Sequence, residues 1–320
     1  MGEEIAKLAA RRRLADRSNP LLVKELRGRM RGARAFVVLT VYLLLMSCLT
    51  AVVYLSYLLT EGDGGGASTM AYLGKVVFSS VALIEILMVT FITPAFTAGA
   101  ISGERERMTY EVLRTTLLSA RKLVLGKLAA ALTYMLLLVL AAVPLQSLAF
   151  MLGGVTVEEL GLALLIVVVS TFFFAVAGLF FSSVMRTTLG STALTYGTAL
   201  LSTIGLPLIG VLVATVVSVA VMDVGPTDSW VWEAVALYAL IFVSSLSPIS
   251  TAVVAEVFLV EENALFYYWQ DVGYSHSLSV GAVHRIPVPS PWVIYVVIYL
   301  TLGLILLLAT VLRVRRQVSR

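Results

Sequence analysis

Residues 93–127 read TPAFTAGAISGERERMTYEVLRTTLLSARKLVLGK, a charged segment set between two apolar runs, 76–101 and 124–152. Each run is long enough to cross a bilayer, which takes about 20 apolar residues. The charged part cannot lie in hydrocarbon, and its six Lys/Arg between 102 and 127 assign it to the cytoplasmic face. Within it, Tyr110, Leu113 and Leu117 fall on one helical stripe, with Arg107, Glu111 and Arg114 beside them. Charged pairs at that spacing stabilise a short exposed helix by a few tenths of a kcal/mol each. The pattern predicts a helix over about 103–119, held at the membrane face to dock a soluble partner.

The rest of the chain sets this segment in a membrane protein. Of 320 residues, 59% are hydrophobic and 13% charged, with a mean hydropathy of +0.97, whereas soluble chains carry about 25% charged residues. Further apolar runs cover 36–59, 160–185, 192–222, 233–260 and 292–312. They do not alternate with period two, so an all-α polytopic membrane protein is expected rather than a β-barrel. The first 35 residues are too basic for a secretory signal and show no small-residue cleavage site. Cys48 stands alone in the first run, which excludes a disulfide framework. The pI near 9.2 is explained by topology, and no nucleic-acid partner is expected.

Seven apolar runs need not make seven crossings, although seven would put Arg313, Arg315, Arg316 and Arg320 outside. Lys/Arg residues number ten in 1–35, six in 102–127, one at Arg186 and four in 313–320. If all four groups are cytoplasmic, both termini share that side and the crossings are even in number. The run that returns to its own face is 233–260, whose flanks are acidic and nearly free of Lys/Arg. Ser244-Ser245-Leu246-Ser247-Pro248 breaks it in the middle. Two half-helices of about a dozen residues, each about 18 Å long, cannot span about 30 Å. Six transmembrane helices with a re-entrant helical hairpin at about 233–260, before the last span, are expected. An external loop at about 261–291 follows the hairpin, with Tyr267, Tyr268 and Trp269 at headgroup level.

Other motifs bear on mechanism. In 18–34, Asn19 is a helix cap and Pro20 a first helical residue. Lys24 and Arg27 share a basic face with Arg31 and Arg34, which fits an interfacial amphipathic helix whose cations reach lipid phosphates. A plain topology anchor fits equally. Glu85 lies deep in the second span, where an acid is rare. It either lines a proton or substrate path or is a protonated acid hydrogen-bonded between helices. Gln146 and Glu256 carry the same ambiguity. Pro94, Pro144 and Pro207 sit in spans. Gly126-Lys127 is no phosphate loop, because position 121 is Arg and Leu128 stands where Ser or Thr holds magnesium. His276 and His284 have no partners at metal-ligand spacing, so no metal site is expected. No catalytic motif supports an enzyme.

The order of these features resembles ABC-2 type transporter permeases: an Asn-Pro helix before the first span, Gly-Glu-Arg-Glu after the second, and re-entrant helices before the last. The resemblance covers nearly the whole chain. It implies that 1–35 is a cytoplasmic tail with a connecting helix and that 36–320 is an ABC-2 type transmembrane domain. It also implies a coupling helix in which Gly103, Glu104, Arg105, Glu106, Tyr110, Leu113 and Leu117 meet a separate ABC ATPase. ATP and magnesium would sit on that partner, with no cofactor on this chain. The expected protein is an exporter subunit in the cytoplasmic membrane, working as a homodimer or heterodimer among lipids, with the second and fifth spans lining the path. A secondary transporter or a membrane scaffold is the alternative.

Overall fold

A computed structural model describes residues 33–61, 67–108, 119–223, 230–261, 264–272 and 284–318. The interfacial helix expected around Asn19, Pro20, Lys24 and Arg27 lies outside the described residues, as do Tyr110, Leu113 and Leu117. Among the described residues, six helices are long and apolar enough to cross a membrane. The first three spans are α1 (Ala33–Glu61), α2 (Ala67–Thr97) and, after a short helix α3 (Ser102–Glu106), α4 (Ala120–Leu152). The fourth is α5 (Val157–Val184). The fifth runs through α6 (Thr188–Leu200), a π-helical turn (Leu201–Gly205) and α7 (Leu206–Asp223). Two short apolar helices, α8 (Trp230–Ser244) and α9 (Pro248–Glu261), precede two strands, and α10 (Pro291–Val318) is the sixth span.

Local sequence sets the boundaries. Ser119 caps α4, accepting from the backbone N–H of Lys122. Gly153 and Gly154 end α4 at φ values of 89° and 82°, which an L side chain adopts only under strain. Two residues later Thr156 and Glu159 form a reciprocal capping box that starts α5. Proline opens both α9 and α10, where its missing N–H is not needed.

The fourth span is the centre of the bundle. Of its most apolar stretch 61% is buried, against 11% for the first span and 17% for the fifth. α5 packs against α2, α4, α6, α9 and α10, and its Ile166, Val167, Phe173 and Phe174 join Met46, Leu73, Ile86 and Met135 in one core. Small residues allow the closest approaches. A Cβ at Gly178 would overlap the Thr97 side chain, and one at Gly74 would overlap the carbonyl oxygen of Gly153, so α2 lies backbone to backbone against the end of α4. The two ends of the bundle differ chemically. At one, Val314 of α10 packs with Ile101, Leu123 and Val124, which brings the end of α10, with Arg313 and Arg315, to the turn after α2 and the start of α4. The other end carries the strands.

One sequence expectation changes here. The external loop at 261–291 is partly folded: β1 (Tyr267–Val272) pairs antiparallel with β2 (His284–Pro289), with Tyr268 opposite Val288. Alternation of exposed and buried residues puts Tyr268, Val272 and Val288 inward. Val288 packs with Ile241 and Phe258, and Tyr268 meets Phe258 edge-on at 4.8 Å. Tyr267 and Trp269 are exposed, so of the three aromatics one belongs to the core. Of the helix expected over 103–119, the described residues hold one short helix, Ser102–Glu106, followed by Met108 at φ 55°; residues 109–118 lie outside the described residues.

Replacing Gly74 with alanine should destabilise the protein by about 1–3 kcal/mol through overpacking, seen as a lower thermal unfolding midpoint in detergent. Gly161→Ala, where a Cβ meets nothing within 4 Å, should leave the midpoint unchanged or raise it. Equal midpoints for the two variants would contradict the close contact of α2 with α4.

Candidate functional site at the charged end of the bundle

Where α2 ends, the chain turns through Ala98–Ile101 into α3, and the freed backbone groups must find partners. Ser182, fully buried near the end of α5, supplies them. Its Oγ accepts from the N–H of Ile101 at 2.8 Å and of Ser102 at 2.9 Å, and it lies 3.2 Å from Ser102 Oγ. Ser191 of α6 donates to the carbonyl of Ala98 at 2.5 Å. Gly99 and Gly103 turn their open sides to the Thr188 methyl, where a Cβ would sit 3.8 and 3.5 Å away. Glycine spacing therefore serves this turn against α6.

The three charged residues expected to meet a partner are all engaged within the chain. Glu104 Oε1 pairs with Lys127 Nζ at 2.6 Å, and Lys127 is 3% exposed. That bridge closes the hairpin formed by the second and third spans and gives Gly126-Lys127 a structural purpose. Arg105 donates to the carbonyl of Ser183 at 3.2 Å and of Met185 at 3.3 Å, which caps the end of α5. Glu106 accepts from the Thr188 backbone N–H at 2.7 Å and from its hydroxyl at 2.8 Å. A carboxylate there satisfies an orphan donor at the start of α6, alongside Thr187, which caps the same helix through Gly190 N–H. Four helix ends thus share one polar junction. Ser182, Ser191 and Thr188 escaped sequence reasoning, because nothing local named their partners about 80–90 positions upstream.

The two deep polar residues meet each other. Gln146 Nε2 of α4 donates to Glu85 Oε2 of α2 at 2.7 Å, and both side chains are fully buried. Glu85 Oε1 and Gln146 Oε1 have no hydrogen-bond partner among the described residues, so the pair is one donor short. Glu256 of α9 accepts from Ser79 of α2 at 2.6 Å. It borders a small cavity of about 50 Å³ with Glu159, which pairs with Lys75 at 3.4 Å. Thr203, in the π turn, touches Thr90 of α2 through hydroxyls 3.1 Å apart and accepts from Ser247 at 3.4 Å on its carbonyl. His284 stacks on Trp230 with ring centroids 4.4 Å apart, and no group of metal-binding side chains occurs among the described residues.

Six membrane-length helices among the described residues, the fourth buried most deeply, with a charged segment tied into one end, define an all-α polytopic membrane protein. Residues 20–312 match the model of the ABC-2 family transporter protein. The chain belongs to that family and is a permease, the membrane component of an ABC transporter. No curated protein matches the chain.

Two stability tests follow. Ser182→Ala strands two buried backbone N–H groups and should destabilise by about 1–3 kcal/mol in thermal unfolding. For the deep pair, Glu85→Gln supplies the missing donor and should unfold at or above the parent midpoint. Gln146→Leu removes the only donor to Glu85 and should lower stability by about 1–3 kcal/mol; the reverse order would refute the pairing.

Proposed function

We propose that this permease is an exporter half that receives mechanical work from separate ABC ATPase subunits docking on residues 103–119. The observation that carries this reading is the junction at 97–106, where the segment between the second and third spans is bonded to the ends of α4, α5 and α6. A partner that displaces this segment displaces several spans together. Gly103, Glu104, Arg105 and Glu106 form its anchored base, and the stripe Tyr110, Leu113, Leu117 is the contact surface for the ATPase. ATP and magnesium belong to that partner.

The basic residues gathered at this end favour a cytoplasmic setting for it, and for both termini, in the cytoplasmic membrane. The opposite end then faces outward, and α8 and α9 form a re-entrant hairpin. Their lengths of 15 and 14 residues give about 22 Å each, short of the hydrocarbon core. The turn between them is satisfied by protein: Thr251 donates to the carbonyl of Ser244 at 3.1 Å, and Tyr299 to that of Leu246 at 2.8 Å. Non-helical backbone at membrane depth needs such partners. The lightly packed first and fifth spans leave surface for a second permease, identical or paralogous, and for lipid. Interfacial residues Asn19, Pro20, Lys24 and Arg27 would hold the amino-terminal helix at the headgroups. Gln146 donates to Glu85 between helices, which supports a tie between the second and third spans rather than a proton or substrate path.

Mild-detergent purification of the chain expressed from its native locus tests the docking. An ATPase carrying a phosphate-binding loop should co-purify, and Leu113→Asp should reduce its recovery roughly tenfold or more, as loss of a buried leucine anchor worth about 1.5–3 kcal/mol would. Charge reversal at 104–106 is the poorer test, because it also breaks the junction. No ATPase with the parent chain, or full recovery with the Leu113 variant, would overturn the proposal.

A further inference from the structure

We infer that the first half of the fifth span, Thr188–Leu200, is the lever that carries displacement of the coupling segment to the helical hairpin, with Glu106 as the positioning residue at its input and the turn at 201–207 as its hinge. The inference rests on the docking reading above and adds the route by which motion leaves the segment.

The input is a two-point clamp. Both carboxylate oxygens of Glu106 hold Thr188, one on the backbone N–H and one on the hydroxyl. Ser191, one turn on, holds the carbonyl of Ala98, and Tyr196 donates to the carbonyl of Phe91 at 2.9 Å. Along its length, α6 is therefore fixed to the end of α2. A rigid helix gripped at successive turns follows its grip.

The output is a built-in break. At Leu201–Gly205 the helix widens to a π turn, and the N–H of Leu206 reaches the carbonyl of Leu201. Such turns interrupt the regular ladder. Two residues on, Pro207 has no N–H to give the carbonyl of Thr203. Ser247, in the turn between α8 and α9, donates to that carbonyl instead. Beyond the break α7 packs against α8, and an open groove of about 390 Å³ runs between it and Ser244, Ile249 and Val253. The fifth span thus has a gripped half, a break bonded to the hairpin, and a half with room to swing.

The test uses the full complex with its co-purified ATPase, in a Cys48→Ser background. Spin labels replace exposed Leu189 and Leu212, which are 82% and 66% exposed and about 35 Å apart along a helix axis at 1.5 Å per residue. Trapping with ATP, magnesium and vanadate should shift the Leu189–Leu212 distance. Glu106→Ala, read on the complex that retains its ATPase, should lose the shift. Glu106→Gln, which can still bond both groups of Thr188, should restore it, and Thr188→Val, which keeps the N–H bond, should show a reduced shift. A shift that persists in both Glu106→Ala and Thr188→Val, or no shift in the nucleotide-trapped parent complex, would overturn the lever. Retention of the shift in Glu106→Ala alone would also overturn it, by removing Glu106 from the input. Failure of the docking reading looks different: no ATPase is recovered with any variant.

Discussion

A chain that interrupts its helices inside an apolar bundle must pair every freed N–H and C=O with its own side chains, because hydrocarbon offers no water. This protein meets that constraint with hydroxyl groups. Ser182 holds two N–H groups where the second span ends, Ser191 holds a carbonyl of the same turn, and Tyr299 and Thr251 hold the turn between α8 and α9. Each bond joins a break in one element to the flank of another. The breaks are therefore also the points at which the helices are fastened together.

The fastening is uneven in a way that bears on transport. The second and third spans are joined at three levels: Gly74 against Gly153, Glu85 with Gln146, and Glu104 with Lys127. Together with the buried fourth span they make a stiff centre. The first span, the second half of the fifth and the sixth have little of their surface covered. A permease needs a part that holds its shape and a part that changes neighbours. Here packing density separates the two along the sequence.

Much of this architecture was legible beforehand. Long apolar runs and clustered Lys/Arg identified six spans and the charged segment, since both signals are local and large. Ser-Ser-Leu-Ser-Pro marked the break between α8 and α9 for the same reason. What stayed hidden depends on distant pairs. Glu104, Arg105 and Glu106 read as charges meeting a partner, because Lys127, Ser183 and Thr188 lie far along the chain. Glu85 and Gln146 each stood out, yet nothing in the sequence joined them across 61 positions. The strands at 267–272 and 284–289 were missed because their alternation spans only a few residues and includes prolines. The π turn at 201–205 has no distinctive composition at all.

That π turn has one more effect. A wider turn holds about one extra residue, which rotates everything after it by about 100° relative to an unbroken helix. The face that α6 shows to α2 and α5 is consequently not continued by α7, which meets α8 with a different set of side chains. A single span so presents hydroxyl-rich residues, such as Ser191 and Thr195, to one neighbour and purely aliphatic ones to another. Change in either half can proceed without disturbing the match of the other.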